Sequence, residues 1–120
     1  MVNLLTIARV WLAFLALFEL PSIYAHLIQD KRATSFYNRM NNSGPERRLW
    51  SMVLVLLVTS RAIACAAPTP ASMAHCACVH IVEALFFGAE RLFYKGACEP
   101  IILGIIILNA MFFSYIALAV

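Results

Sequence analysis

Apolar and polar residues follow one another along the chain in long blocks, without the short periods of a soluble amphipathic helix or strand. Four apolar stretches cover residues 4–28, 48–67, 73–94 and 100–120, and one sustained polar stretch covers residues 29–47. Because a helix rises 1.5 Å per residue, about 20 residues cross the roughly 30 Å hydrocarbon core of a bilayer. The pattern therefore predicts an all-α fold, a four-helix transmembrane bundle with both termini on the same side.

The composition also indicates a membrane protein. Hydrophobic residues make up 63% of the chain and charged residues only 12%, with a mean hydropathy of +0.85. Soluble domains are nearer half apolar and a quarter charged. The apolar stretches use most of the 120 residues, so we expect one membrane domain over residues 1–120 and no separate soluble catalytic module.

The first apolar stretch has features of a signal peptide, with Arg9 placed before an apolar run. The apolar character resumes after Pro21, however, so we expect this stretch to be retained as the first transmembrane helix. Pro21 lacks an amide hydrogen and is expected to kink that helix or to end its regular part.

Basic residues are concentrated on one predicted side of the membrane. The polar stretch and the turn after the third span share that side and hold seven of the nine basic residues: Lys31, Arg32, Arg39, Arg47, Arg48, Arg91 and Lys95. The positive-inside rule places this side in the cytosol, or in the matrix of a mitochondrion. The net charge of +3 is too small to indicate nucleic-acid binding, and we expect anionic lipid headgroups as the counter-charge. The predicted headgroup and interface residues are Lys31, Arg32, Arg47, Arg48, Trp50, Arg91 and Lys95.

The third span is unusual because it carries two acids within an apolar helix. A carboxylate at bilayer depth costs roughly 2.5 to 3.5 kcal/mol or more, so such acids usually face protein or water. Glu83 and Glu90 are about two helical turns apart and therefore share a face. The same face carries Cys76, His80, Phe87 and Tyr94. We predict that this helix is the inner member of the bundle.

Arg61 lies inside the second span and is the natural partner for one of these acids. Counted from the connection between the second and third spans, Arg61 and Glu83 differ in height by roughly 7 Å, which a long arginine side chain bridges. We predict an Arg61–Glu83 ion pair with a structural role, which we favour over a proton or ion path. The candidate intramembrane polar and assembly residues are Arg61, Glu83, Glu90, His80 and Glu19.

Residue types that bind metal ions also occur near the third span. Cys76 and Cys78 are one residue closer than in a usual zinc site, and His80 precedes Glu83 where di-iron bundles have the reverse order. There is no glycine-framed nucleophile, phosphate loop or dinucleotide fingerprint. We therefore predict no catalytic residue, no metal site, no enzymatic activity, and no cofactor beyond, at most, a structural phospholipid.

Arg48 and Arg61 stand thirteen residues apart in the second span, and Glu90 follows in the third span. With this pattern the middle of the chain resembles the ergosterol-biosynthesis scaffold family of small four-span proteins of the endoplasmic reticulum, in which two arginines of the second span have the same spacing. In that family a glutamate precedes an aromatic-rich segment, which is matched here by Glu90, Leu92, Phe93 and Tyr94. The proline that opens the family's last span is matched by Pro100. Weaker support comes from Leu4 to Leu12 (including Trp11) and from Tyr37. The chain departs from the family in having Phe86 where a histidine is common, a shorter turn before Pro100 and no basic tail.

The resemblance implies a non-enzymatic tether that gathers the enzymes of sterol C-4 demethylation on the membrane. The expected function is accordingly a multi-pass membrane scaffold or accessory subunit whose partners are other integral membrane subunits or membrane-bound enzymes. One alternative is a supernumerary subunit of a mitochondrial inner-membrane complex, either a respiratory complex or ATP synthase. A second alternative is a small proton or lipid transporter that uses Glu19, Glu83 and Glu90.

Overall fold

The computed structural model of the protein describes residues 3–27, 44–93 and 100–120 and contains four α-helices there. In chain order these are α1 (Leu4–Leu27), α2 (Gly44–Ala66), α3 (Pro70–Leu92) and α4 (Pro100–Ala119). The described residues contain no strand. The predicted all-α class is therefore confirmed.

All four helices are long and apolar enough to cross a membrane. Their lengths and composition make the chain a multi-pass membrane protein. Two helices begin earlier than the apolar pattern predicted: α2 includes residues 44–47 of the predicted polar loop, and α3 starts at Pro70 instead of Met73. In both cases a proline stands within the first two helical residues, where its missing amide hydrogen costs no hydrogen bond.

A tight turn at residues 67–69 joins α2 to α3. The backbone N–H of Ser72 donates to Thr69 Oγ1 at 3.1 Å, and the backbone N–H of Thr69 donates to Ser72 Oγ at 2.9 Å. This reciprocal capping box satisfies amide groups that the helix itself leaves without acceptors. The chain therefore reverses direction within three residues, and α2 and α3 run antiparallel.

One core cluster joins all four helices at the end of the bundle that holds this turn. It contains Ala8 and Leu12 of α1, Ala64 of α2, Met73 and Cys76 of α3, and Phe113 and Ile116 of α4. The start of α1 and the end of α4 meet in this cluster, so both termini lie on the same side, as predicted. We call this the closed end of the bundle.

Toward the other end, the bundle divides into two helix pairs. Ile23 of α1 packs on Leu54 and Leu57 of α2, whereas Phe87 of α3 packs on Ile106 of α4. The most extensive helix contacts accordingly join α1 to α2 and α3 to α4, and α2 touches α3 over a shorter length. The short turn joins α2 to α3, but these two helices are not the most closely packed pair. Instead, α2 packs mainly on α1, and α3 packs mainly on α4.

The packing of α4 can be tested with two isomeric side chains on that helix. Ile116 is 1% exposed, whereas Leu118 is 89% exposed. We expect Ile116→Ala to lower the free energy of unfolding by about 2 to 5 kcal/mol, because it leaves a cavity at the closed end. Leu118→Ala removes the same number of carbon atoms and is expected to have little effect. Unfolding by denaturing detergent in mixed micelles measures both, and equal losses would contradict this placement of α4.

Candidate functional site

A buried arginine joins three helices near the middle of the bundle. Arg61 of α2 is only 3% exposed. Its Nη1 lies 3.4 Å from Glu19 Oε1 of α1, forming an ion pair, and donates to the carbonyl oxygen of Leu15 at 3.4 Å. Its Nε donates to Nε2 of His80 on α3 at 3.3 Å. We call Arg61, Glu19 and His80 the Arg61 cluster.

His80 extends this cluster to the fourth helix. Its Nδ1 lies 2.8 Å from the carbonyl oxygen of Cys76, and its ring centroid lies 4.7 Å from that of Phe113 on α4. Because Arg61 donates to Nε2, the proton of the neutral ring belongs on Nδ1, where it donates to Cys76. Both ring nitrogens are therefore satisfied, and the cluster contacts all four helices.

The predicted Arg61–Glu83 ion pair is wrong, because the guanidinium pairs with Glu19. Glu19 is distant from Arg61 in sequence and reaches it only because α1 packs along α2. Viewed along the axis of α3, the side chains of His80 and Glu83 point about 60° apart. His80 faces Arg61 and bonds to it, so Glu83 lies to one side of the guanidinium. Arg61 still lies within electrostatic range of Glu83, but among the described residues no ion pair joins them.

The predicted inward face of α3 is confirmed for Cys76, His80 and Phe87, which are all buried. Glu83 and Glu90 are half-buried at the edge of this face. Oε2 of Glu83 is enclosed and has no hydrogen-bond partner among the described residues. The helix therefore buries one acid oxygen at bilayer depth without neutralising it within this part of the chain.

Both acids line a groove between α2 and α3, which we call the α2–α3 groove. Its volume is about 1170 Å³, and it is open on one side. Its walls are mainly aliphatic and aromatic: Leu49, Trp50, Val53, Leu54, Leu56, Leu57 and Ile63 from α2, and Val79, Val82, Phe86 and Phe87 from α3. The groove forms because the two helix pairs diverge away from the closed end.

Polar and aromatic contacts mark the two ends of the groove. Near the closed end, Ser60 Oγ and His75 Nδ1 are 3.0 Å apart and join α2 to α3. At the other end, the Trp50 ring lies 6.2 Å from Phe86 and 5.4 Å from Phe87, measured between centroids. Direct contacts between the two helices that form the groove thus occur near both of its ends.

The residues predicted at the lipid interface are only partly described. Arg48 near the start of α2 and Arg91 near the end of α3 are exposed at the same end of the bundle, where Trp50 is half-buried. Arg47 belongs to α2, but its side chain is outside the described structure. Lys31, Arg32 and Lys95 also lie outside the described residues. Headgroup binding by these residues stays a prediction.

Several polar contacts between helices were not predicted from the sequence. Trp11 Nε1 donates to Asn109 Oδ1 at 2.9 Å, joining α1 to α4. Ser51 Oγ donates to the carbonyl oxygen of Ile23 at 3.1 Å. Arg9 Nε donates to the carbonyl oxygen of Cys65 at 2.8 Å. Asn109 was recognisable as a polar residue in an otherwise apolar helix, but nothing in the sequence identified its partner.

The chain matches no family model, no curated protein and no solved structure. Within the described residues, no three His, Cys, Asp or Glu side chains are grouped so that they could hold a metal ion. The described residues thus show two polar features: the Arg61 cluster inside the bundle, and an open apolar groove with Glu83 and Glu90 on its wall.

The partner of Arg61 can be tested by double-mutant cycles with Arg61→Met, Glu19→Gln and Glu83→Gln. We expect Arg61 and Glu19 to be coupled by about 1 to 3 kcal/mol of unfolding free energy, because removing either leaves the other charge buried. The coupling of Arg61 to Glu83 is expected to be smaller, since no direct bond joins them. Detergent unfolding of the single and double variants supplies both values, and a larger Glu83 coupling would contradict the geometry.

Proposed function

We propose that the protein is a non-catalytic membrane scaffold or accessory subunit that packs against other membrane-bound subunits and holds them together. The observation that carries this proposal is the α2–α3 groove, a concave apolar surface of about 1170 Å³ within candidate membrane spans. Such a surface is suited to a packing partner that has a fixed shape.

The interior of the bundle supports a structural role for the buried charges. Arg61, Glu19 and His80 bond to one another, and His80 also bonds to its own helix. Groups arranged in this way stabilise the approach of the helices. The cluster needs no partner protein, so we place the assembly surface elsewhere, at the groove.

The physics of association within a bilayer favours a protein partner for this groove. Lipid chains are as apolar as the groove walls, so helix association there depends on close packing and on interhelical hydrogen bonds. A concave surface allows more such contacts than a convex one. An assembly partner therefore gains most of its contact with this chain by entering the groove.

The resemblance carried by Arg48, Arg61 and Glu90 supports a role as a tether of sterol-biosynthesis enzymes in the endoplasmic reticulum, and this is the first candidate for the assembly. A mitochondrial inner-membrane complex is the alternative, since a short hydrophobic chain also suits an accessory subunit. In either membrane, the basic end of the bundle with Arg48 and Arg91 is proposed to face the cytosol or the matrix.

The test is purification of the tagged native protein in mild detergent, with quantitative mass spectrometry of the proteins that co-purify. Sterol dehydrogenase, oxidase and reductase partners would support the tether, whereas respiratory or ATP synthase subunits would support the mitochondrial alternative. A chain that purifies alone from native membranes would overturn the proposed function.

A groove-filling substitution makes this test specific. Val82 lines the groove and is 65% exposed, whereas its neighbour Ile81 is 41% exposed and lies outside the groove. We expect Val82→Trp to reduce partner recovery by about tenfold, which corresponds to about 1.4 kcal/mol of binding free energy. Ile81→Trp is the matched control and is expected to keep the partners. Equal recovery with both variants would contradict assembly through the groove.

A further inference from the structure

We infer that the α2–α3 groove receives a transmembrane helix of the partner, and that this helix carries a lysine or arginine at the depth of Glu83. The inference rests on the proposed function and specifies the chemistry of the partner. Four observations support it: the bonding of Glu83, the balance of buried charge, the depth of Glu83 and the size of the groove.

The bonding of Glu83 leaves an acceptor for an external donor. Its Oε2 atom is enclosed and has no hydrogen-bond partner among the described residues, and the carboxyl group lies on the groove wall. Arg61, the nearby cation, forms its ion pair with Glu19. A buried acceptor without a donor costs about 1 to 3 kcal/mol, and more when it is charged. A donor entering the groove removes this cost.

The balance of buried charge indicates that the donor is a cation. When ionised, Glu19 and Glu83 contribute two negative charges and Arg61 contributes one positive charge. With both acids ionised, the Arg61 cluster together with Glu83 carries one excess negative charge within the hydrocarbon. A lysine or arginine on the partner neutralises this charge, whereas a serine or asparagine only donates a hydrogen bond.

The depth of Glu83 distinguishes a protein partner from a lipid. At 1.5 Å per residue, Glu83 lies roughly 20 Å along the helix from Pro70 and roughly 14 Å from Leu92. This position is near the middle of a span, where lipids present only hydrocarbon chains, because their charged and hydroxyl groups lie at the interface. A donor at this depth is most simply supplied by a membrane-spanning helix.

The size of the groove fits such a helix. From Trp50 to Ile63 it extends about 20 Å along α2. A helix segment of that length and about 10 Å in diameter occupies roughly 1600 Å³, compared with a groove volume of about 1170 Å³. The two volumes are of the same order, so part of one helix can enter the groove, with the remainder facing lipid.

A second copy of this chain does not supply the required cation from its described helices. Arg61 is buried and already paired with Glu19. Arg9 donates to the carbonyl oxygen of Cys65 on α2, and Arg48 and Arg91 lie within two residues of the ends of their spans. The partner helix is therefore expected to come from a different protein.

The inference can be tested with synthetic transmembrane helices and the full-length protein in phosphatidylcholine vesicles. The probe is a leucine-rich helix of about 20 residues with one central lysine, and the reference is the same helix with leucine at that position. Energy transfer from the labelled helix to an acceptor at the amino terminus of the protein measures binding. We expect the lysine helix to bind about tenfold more tightly, because it pairs with a buried carboxylate.

Two variants and one shifted probe serve as controls. Glu83→Gln is expected to abolish the preference for lysine, whereas Glu90→Gln on the same groove wall is expected to retain it. Moving the lysine two turns toward either end of the probe is also expected to remove the preference. Equal binding of the lysine and leucine helices, or a preference that survives Glu83→Gln, would overturn the inference.

A crosslinking experiment in native membranes separates this inference from the proposed function. A photoreactive amino acid at Val82 is expected to capture a membrane-spanning peptide with a basic residue near its centre, and the same group at Ile81 is expected not to capture it. Partners that co-purify while Val82 captures only lipid or a second copy would overturn this inference and leave the scaffold role intact. A chain that purifies alone but still prefers the lysine helix would instead overturn the scaffold role.

Discussion

The arrangement of the four helices depends on satisfying one buried guanidinium. Arg61 is held inside hydrocarbon, where an unpaired charge is strongly unfavourable. Its bonds to Glu19, Leu15 and His80 require α1 and α3 to approach α2 at a common depth. His80 in turn packs on Phe113 and so positions α4. Because helices in a bilayer gain little from hydrophobic burial against one another, these polar bonds, together with close packing at the closed end, fix the bundle.

The two ends of the bundle serve different purposes as a result. At the closed end, small residues such as Ala8, Ala64 and Ala77 are buried in one cluster shared by the four helices. At the other end, the core separates into an α1–α2 cluster and an α3–α4 cluster, and Trp50 packs against both. The groove is the space left by this divergence. A stable closed end allows the chain to keep an open apolar surface without losing its fold.

Glu19, Glu83 and Glu90 lie in different environments, and we assign them different roles on that ground. Glu19 is used inside the bundle, where it neutralises Arg61. Glu83, close to the same arginine, keeps an unbonded oxygen on the groove wall. Glu90 lies two residues from the end of α3, close to the interface, where a charge costs less than in the middle of a span. Only the middle acid is both deep and incompletely bonded, which is why the partner is assigned to that position.

The sequence by itself determined the membrane class, the four helices, the side shared by the termini and the inward face of α3 with Cys76, His80 and Phe87. These features follow from helix length, hydropathy and the spacing of residues within one helix, all of which are local. The partner of Arg61, the Trp11–Asn109 bond and the α2–α3 groove were decided only by the tertiary structure. Each depends on which helices pack together, and the order of helices along the chain does not specify that. Spacing along the chain led us to predict Glu83 as the partner of Arg61, whereas the packing of α1 along α2 selects Glu19.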